Sequence, residues 1–320
     1  MKSDPPSQRD RIIGGMIGAL VGDALGVPVE FSSRPDRDAD AVTGMRGFGT
    51  WMQPAGTWSD DGALFLCTAE SLVGEVPDLE LAGRLYVRWL REGHWAVGGK
   101  VFDVGGATRA ALDRIASGTP AASAGGAGET DNGNGSLMRI LPVALRFADA
   151  SPDELVSYAM RWSAITHRHV RSQLACAYYC LVVQQCMQGA APAATLKTSG
   201  ENFAPLLNRF SAERPTFAKM LDGNFAKIGR ADIRSGGYVI ETLEAAIWCL
   251  LQGGTFADIV LRGVNLGGDT DTTACVAGGL AGVWLGIGVI PERWTEALAK
   301  NPPLGDLIER FVSASVPKGL

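Results

Sequence analysis

The chain has 320 residues, a formal charge of −5 and 46% hydrophobic side chains. Mild acidity argues against a protein that coats nucleic acid, and the apolar fraction is too high for a disordered chain. Glycine supplies 41 residues, about 13% against a usual ~7%, with no Gly-X-Y period, which excludes collagen and points to close-packed helices and tight loops.

In chain order, residues 1–9 are expected to be a flexible N-terminus. Gly14, Gly18, Gly22 and Gly26 then recur every fourth position, one glycine stripe on a helix over about 10–26. Such a stripe admits a second backbone at short range, so this helix belongs at the centre of a bundle. The run Ile12–Gly22 is leader-like in hydropathy. Asp4 and Asp10 stand where a leader would be basic, however, and Asp23 cuts the run short. Asp36, Asp38 and Asp40 lie in a wholly polar segment, expected to be a solvated loop. Asp60 or Asp61 opens a helix to about Val73, and Pro77-Asp78 starts another with Leu81, Leu85 and Trp89 on one face.

Residues 117–130 are rich in Ser, Ala and Gly and read as a loop, with a helix expected from about Ser136. Ser151-Pro152-Asp153-Glu154 combines an N-cap serine, a proline at the first helical position and a glutamate at the third. A long apolar helix follows over 168–189. The stretch 190–235 is irregular, with short helices at best. Helices return over 237–252, 255–264, 271–287 and 291–300, and a last one from about 303. Ala274–Ile290 carries no charge and sits at the lower edge of a membrane span. Its glycines and the two aspartates before it favour a buried helix. No run alternates with period two. The class is all-α, one domain over 1–320, with no membrane association expected.

Six cysteines in apolar surroundings, none in a Cys-x-x-Cys pair, read as reduced core thiols of a cytoplasmic protein. Three histidines and these cysteines provide no zinc spacing. Any metal must be held by carboxylates and be a hard ion such as Mg²⁺ or Mn²⁺.

Two acidic segments stand out from the Asp36–Asp40 control by their apolar context. Ser59-Asp60-Asp61 runs into Ala63-Leu64-Phe65-Leu66, and Gly267-Gly268-Asp269-Thr270-Asp271-Thr272 runs into the uncharged helix. N-capping explains one carboxylate per helix; each segment supplies two and a hydroxyl. They look like two halves of a cage of oxygen ligands, since four carboxylates around one point repel unless cations offset them. The small residues Ala274, Ala277, Gly278, Ala281 and Gly282 form a stripe that would let this helix cross another closely. If the partner is the Gly14–Gly26 helix, Asp269 and Asp271 come to Asp60 and Asp61. A third segment, Asp131-Asn132-Gly133-Asn134-Gly135-Ser136, suits a phosphate or diphosphate if its glycines expose N–H groups before a helix; an ordinary Asn-Gly turn is the alternative.

These segments, together with Gly22-Asp23-Ala24-Leu25-Gly26, Pro28 and Glu30, Met138-Arg139, Thr166-His167, and Gly237-Tyr238 with Leu243-Glu244-Ala245-Ala246, resemble the ADP-ribosylglycohydrolase family, which includes the dinitrogenase reductase-activating glycohydrolases. They occur in family order from residue 12 to about 290. The resemblance implies an orthogonal helical bundle with two divalent cations, Mg²⁺ or Mn²⁺. The ligands would be Ser59, Asp60, Asp61, Asp269, Asp271 and Thr272. Glu30, Asp131 and Asp60 are the catalytic candidates it implies. Gly133, Asn134, Gly135, Ser136, His167 and Tyr238 would bind substrate. Gly62 departs from the family's usual Thr or Ser and loses a hydroxyl beside the site.

The implied reaction is hydrolysis of the bond between C1″ of ADP-ribose and a protein side chain, with Glu30 or Asp131 as general base or acid. Expected partners are ADP-ribosylated proteins or ADP-ribose derivatives, not nucleic acid, met by a monomer. Two rivals stand beside this one. A non-catalytic ADP-ribose-binding or structural member of the same fold is disfavoured by the intact aspartates. A metal-dependent nucleotide or phosphoester hydrolase would release a product other than free ADP-ribose.

Overall fold

A serine and an aspartate start the first helix. In the computed structural model, which describes residues 4–298 and 303–316, Ser7 caps the helix Gln8–Gly26 and Asp10 returns a hydrogen bond to Ser7. The helix thus begins two residues before the glycine stripe alone suggested, and takes in the end of the expected flexible segment. Residues 1–3 of that segment lie outside the described residues. The described residues form 16 α-helices and no strand, only three isolated bridges.

The glycine stripe packs antiparallel against Thr270–Leu285. A Cβ at Gly14 would lie 2.3 Å from the Gly282 carbonyl oxygen, at Gly18 2.4 Å from that of Gly278, and at Gly22 2.0 Å from that of Ala274. At Gly26 it would lie 2.3 Å from the Cα of Asp271. The facing glycines are equally tight: a Cβ at Gly282 would lie 1.9 Å from the Gly14 oxygen. No side chain fits this seam, so the backbones touch along four successive turns. Thr270 Oγ1 locks the far end by donating to the Gly26 carbonyl at 2.8 Å. The seam therefore delivers Asp269–Thr272 to the C-terminal end of the first helix.

The same end captures the other acidic segment. Asp23 is fully buried and accepts from the backbone N–H groups of Ser59 at 3.0 Å and Gly62 at 2.8 Å. It thereby satisfies orphan donors of the helix Asp60–Ser71, whose N-cap is Ser59. One helix thus fixes both halves of the site.

Around this pair, helices including Leu79–Glu92, Pro152–Ala164, Val170–Met187, Val239–Leu251 and Phe256–Val264 enclose one continuous apolar cluster running from Ile12 to Val312. The Ser151–Glu154 capping box is present as read. All six cysteines are buried free thiols. Among the described residues, Gln8–Val29 is the one stretch long and apolar enough to cross a membrane, and 89% of its most apolar 18 residues are buried in the protein. From Thr270 to Val283 every residue of the second seam helix is also buried.

Local expectations fail in four places. Pro192–Arg209 is an 18-residue helix where only short pieces were expected; Pro205 sits inside it, and Gly200 and Ser199 dilute the periodic signal. Gly106–Ala116 is a helix that no cap residue announces. Arg34–Ala39 is a short helix capped by Ser33, although Asp36, Asp38 and Asp40 are exposed as expected. The helix expected from Ser136 begins only at Leu141. Residues 134–140 run through turns, and Pro142 occupies the first helical turn. At the C-terminal side, 299–302 lie outside the described residues.

Candidate active site

The two acidic segments converge. Thr272 Oγ1 donates to Asp61 Oδ1 at 3.3 Å across the interface of the two helices. Asp60, Asp61, Asp269 and Thr272 line one cleft of about 220 Å³ together with Glu30, Phe31 and Asp103. Asp271 is fully buried, and carboxylate oxygens of Glu30, Asp103 and Asp271 lie within 4.8 Å of one another, close enough to share an ion. Gly267 and Gly268 make this possible. Both adopt left-handed backbone, and a Cβ on Gly268 would lie 2.4 Å from the Ser235 carbonyl oxygen. The turn is pinned by Asp269 N–H donating to Ser235 O at 2.8 Å and Gly268 N–H to Ser32 O at 2.8 Å.

The electrostatics are those of a site built for cations. Burial, with the surrounding carboxylates adding, pushes Asp60, Asp61 and Asp271 well above the ordinary carboxylate range. Burial beside Asp103 pushes Glu30 up to about 9, and burial beside Asp269 pushes Asp103 to about 6. Asp61 Oδ2, Asp269 Oδ1 and Asp271 Oδ2 are buried without a hydrogen-bond partner. Unpaired buried carboxylate oxygens are costly, and a divalent cation satisfies them where a proton donor is lacking. Every oxygen in the cluster is hard, which suits Mg²⁺ or Mn²⁺. The residues present therefore fit a metal. Ser59 contributes differently from its neighbours: its hydroxyl accepts from Asp61 N–H at 3.2 Å and caps the helix.

Gly62 has a packing reason. A Cβ there would lie 2.7 Å from the Trp58 side chain, which folds over it and donates from Nε1 to the Trp95 carbonyl at 2.9 Å. Trp58 occupies the space that a larger residue at position 62 would need.

The opposite wall is the Asn-Gly segment. Asn134 Nδ2 donates to Asp269 Oδ2 at 2.8 Å and to Thr242 Oγ1 at 2.9 Å, so this wall braces the acidic cluster directly. Gly133 pairs with Tyr238 in an isolated bridge. Gly133, Asn134, Gly135 and Gly237 line the cleft with His167. A Cβ on Gly135 would lie 2.9 Å from His167 Cε1, so glycine lets the imidazole reach the cleft. Burial, helped by nearby Arg139, lowers His167 to about 3, so the ring is neutral. Its Nδ1 meets Thr166 Oγ1 at 2.8 Å, and that hydroxyl accepts from the fully buried Arg139 at 2.7 Å.

Three expected substrate or catalytic residues are not among those lining the cleft. Asp131 turns back to accept from Gly128 N–H at 2.8 Å. Ser136 is fully buried against Ser163 at 2.9 Å and Cys176. Tyr238 is half-buried at the start of Val239–Leu251, beside Arg171. Asp103 is the residue that sequence reasoning missed. It is a lone aspartate without a paired carboxylate; the one available signal is the Gly105-Gly106 pair after it, which opens the helix Gly106–Ala116.

The site is thus a cleft in an all-helical bundle that sets a buried carboxylate cluster against a glycine-rich wall and a neutral histidine. A family model described as ADP-ribosylglycohydrolase matches residues 4–319. The ADP-ribosylarginine hydrolase Tri1 of Pseudomonas putida (strain GB-1) is 33% identical over 311 residues, covering 96% of this chain and 79% of the relative. The ADP-ribosyl-[dinitrogen reductase] glycohydrolase of Rhodospirillum rubrum is 29% identical over 297 residues, covering 92% of each. A solved structure titled ADP-ribosylglycohydrolase-related protein complex superposes with a TM-score of 0.81 at 33% identity, covering 97% of this chain and 99% of that one. The chain belongs to the ADP-ribosylglycohydrolase family. It is a hydrolase, and its activity is de-ADP-ribosylation.

Proposed function

We propose that this enzyme cleaves the N-glycosidic bond between C1″ of ADP-ribose and an arginine side chain of a protein, with two divalent cations, Mg²⁺ or Mn²⁺. The arginine linkage is supported by the names of two relatives, from Pseudomonas putida and Serratia proteamaculans (strain 568), both ADP-ribosylarginine hydrolases. The observation that carries the reading is the meeting of Asp60 and Asp61 with Asp269 and Asp271, with buried oxygens left unpaired.

Asp60, Asp61, Asp269, Asp271 and Thr272 would hold the cations, with Ser59 placing Asp61. Bound there, the cations would orient ribose hydroxyls and polarise a water. The chain's own residues do the rest. Gly133, Gly135 and His167 offer a small-residue wall and a neutral ring for the diphosphate end. Glu30 and Asp103 stand at the other end and move protons: one takes a proton from the attacking water, and one supports protonation of the leaving guanidine nitrogen. The surrounding carboxylates stabilise positive charge as it develops at C1″. Asp131, turned onto Gly128, leaves this acid–base role to Glu30 and Asp103. A cytoplasmic location is consistent with six free thiols.

The test is a panel of ADP-ribosyl-arginine, ADP-ribosyl-serine and O-acetyl-ADP-ribose, each with Mg²⁺ or Mn²⁺. Release of free ADP-ribose from the arginine conjugate is expected. Turnover of the serine conjugate alone, or release of AMP, would refute the assignment.

A further inference from the structure

Five non-glycine residues among the described ones hold a left-handed backbone: Phe31, Phe48, Met52, Trp95 and Asp103, with φ between 53° and 64°. Bulky residues there are strained by about 1–3 kcal/mol each and persist only where the surroundings impose them. Three of the five are also large apolar side chains left in solvent. Phe31 is 65% exposed, Phe48 60% and Met52 67%.

Their surroundings explain the strain. The segment Phe48–Gln53 is clamped onto the chain around Glu30. Thr50 Oγ1 donates to the Glu30 carbonyl at 2.9 Å, and Trp51 Nε1 donates to the Glu30 carboxylate. Gln53 Nε2 closes the turn onto Trp51 O at 2.7 Å. A Cβ on Gly49 would lie 1.9 Å from Pro28 O. The Phe31 ring meets Trp51 edge-on, centroids 6.2 Å apart, and Trp51 tilts against Phe102 at 5.5 Å. Aromatic rings therefore back the rim from beneath, while Phe31, Phe48 and Met52 face outward.

The rim sits at one end of the cleft. Gly133, Gly135 and His167 line one side of the cleft and Glu30, Phe31 and Asp103 another; with the diphosphate held by the glycine wall, as proposed above, the leaving group lies toward Glu30 and Asp103, beside Phe31. We propose that Phe31, Phe48 and Met52 form a docking rim for the folded protein that carries the modified arginine, packing on apolar surface around the modification. This rests on the de-ADP-ribosylating reading above. Phe31 borders the cleft itself, but Phe48 and Met52 are not among its lining residues, and a free nucleotide held inside has no use for them. A protein surface does, and aromatic residues and methionine are the types enriched at such interfaces. The rim borders a cluster of acids, which would repel a nucleic-acid backbone.

The experiment compares two probes, ADP-ribosyl-arginine and actin mono-ADP-ribosylated on a surface arginine. At Phe48, with φ 64° and ψ −117°, glycine is the residue at ease, and at Met52, with φ 53° and ψ 36°, asparagine is tolerated, so F48G, M52N and the double variant keep the turn while removing the apolar surface; melting curves confirm folding. Wild type is expected to favour the actin probe. The double variant is expected to lose about tenfold in kcat/KM on actin, through KM, with ADP-ribosyl-arginine unchanged. Equal loss on both probes, no loss on either, or no wild-type preference for actin overturns the rim. So does a wild-type dimer that the double variant dissolves, since a second copy would then cover the patch. Failure of wild type on both probes is a different outcome: it overturns the arginine reading itself and the rim with it.

Discussion

Six carboxylates, those of Asp23, Glu30, Asp60, Asp61, Asp103 and Asp271, all have pKa values raised by burial. Each depends on its neighbours for its charge, so single substitutions should reveal which of them hold metal and which handle protons. Asp269→Ala removes one of the acids that would hold the cations and frees Asn134 from its 2.8 Å bond. It should abolish metal binding and turnover together; full activity of this variant in excess EDTA would contradict the metal assignment. Asp103→Asn keeps the shape and removes the proton site. It should lower kcat by about 10²–10⁴ while leaving Mn²⁺ affinity within a few-fold, read by steady-state kinetics and calorimetry. Gly62→Thr restores the residue usual in the family but drives a Cβ to 2.7 Å from Trp58. It should destabilise by about 1–3 kcal/mol in denaturant melts, and a neutral or stabilising effect would show that Trp58 can move aside.

At the scale of helices, the glycine seam turns local pattern into site geometry. Gly22→Ala would set a methyl 2.0 Å from the Ala274 carbonyl oxygen, where neither backbone can retreat without separating the helices. A loss of roughly 3 kcal/mol or more is expected, with weakened metal binding because Asp271 moves with the seam. Gly223→Ala, which meets nothing within 4 Å, should stay within about 0.5 kcal/mol. This seam was legible in the sequence. A four-residue glycine repeat on one helix and Ala274, Gly278 and Gly282 on another are local periodicities, and their complementarity offered the crossing as one pairing that would join the acidic segments. Other features lacked such a signal. The helix Pro192–Arg209 contains a proline and a glycine that break the pattern, and burial of its apolar face overrides them. Asp103 meets Glu30 and Asp271, which lie far from it in the chain, a long-range fact that a lone aspartate does not announce. The turns over 134–140 replaced the expected helix start because Asn134 is tied to Gly237, Thr242 and Asp269, contacts more than a hundred residues away.

For the whole molecule, the acidic cluster couples stability to pH and to metal. In cation-free protein, Asp103, Asp23 and Glu30 hold protons up to about 6, 7 and 9 respectively, whereas the unfolded chain releases them near 4. The folded state then binds more protons than the unfolded state between these limits, so stability must fall as pH rises. With EDTA, the melting temperature should drop steadily from pH 5 to pH 8.5. With Mn²⁺, cations replace the protons and the decline should flatten. Identical slopes in both conditions would mean that metal does not bind the cluster.

The central claim is that two acidic segments some two hundred residues apart share divalent cations. Anomalous diffraction from crystals grown with Mn²⁺ tests it most directly. The account requires Mn²⁺ peaks between Asp60–Asp61 and Asp269–Asp271, absent from Asp269→Ala crystals. Peaks elsewhere on the protein, or a cleft without manganese at millimolar concentration, would contradict it.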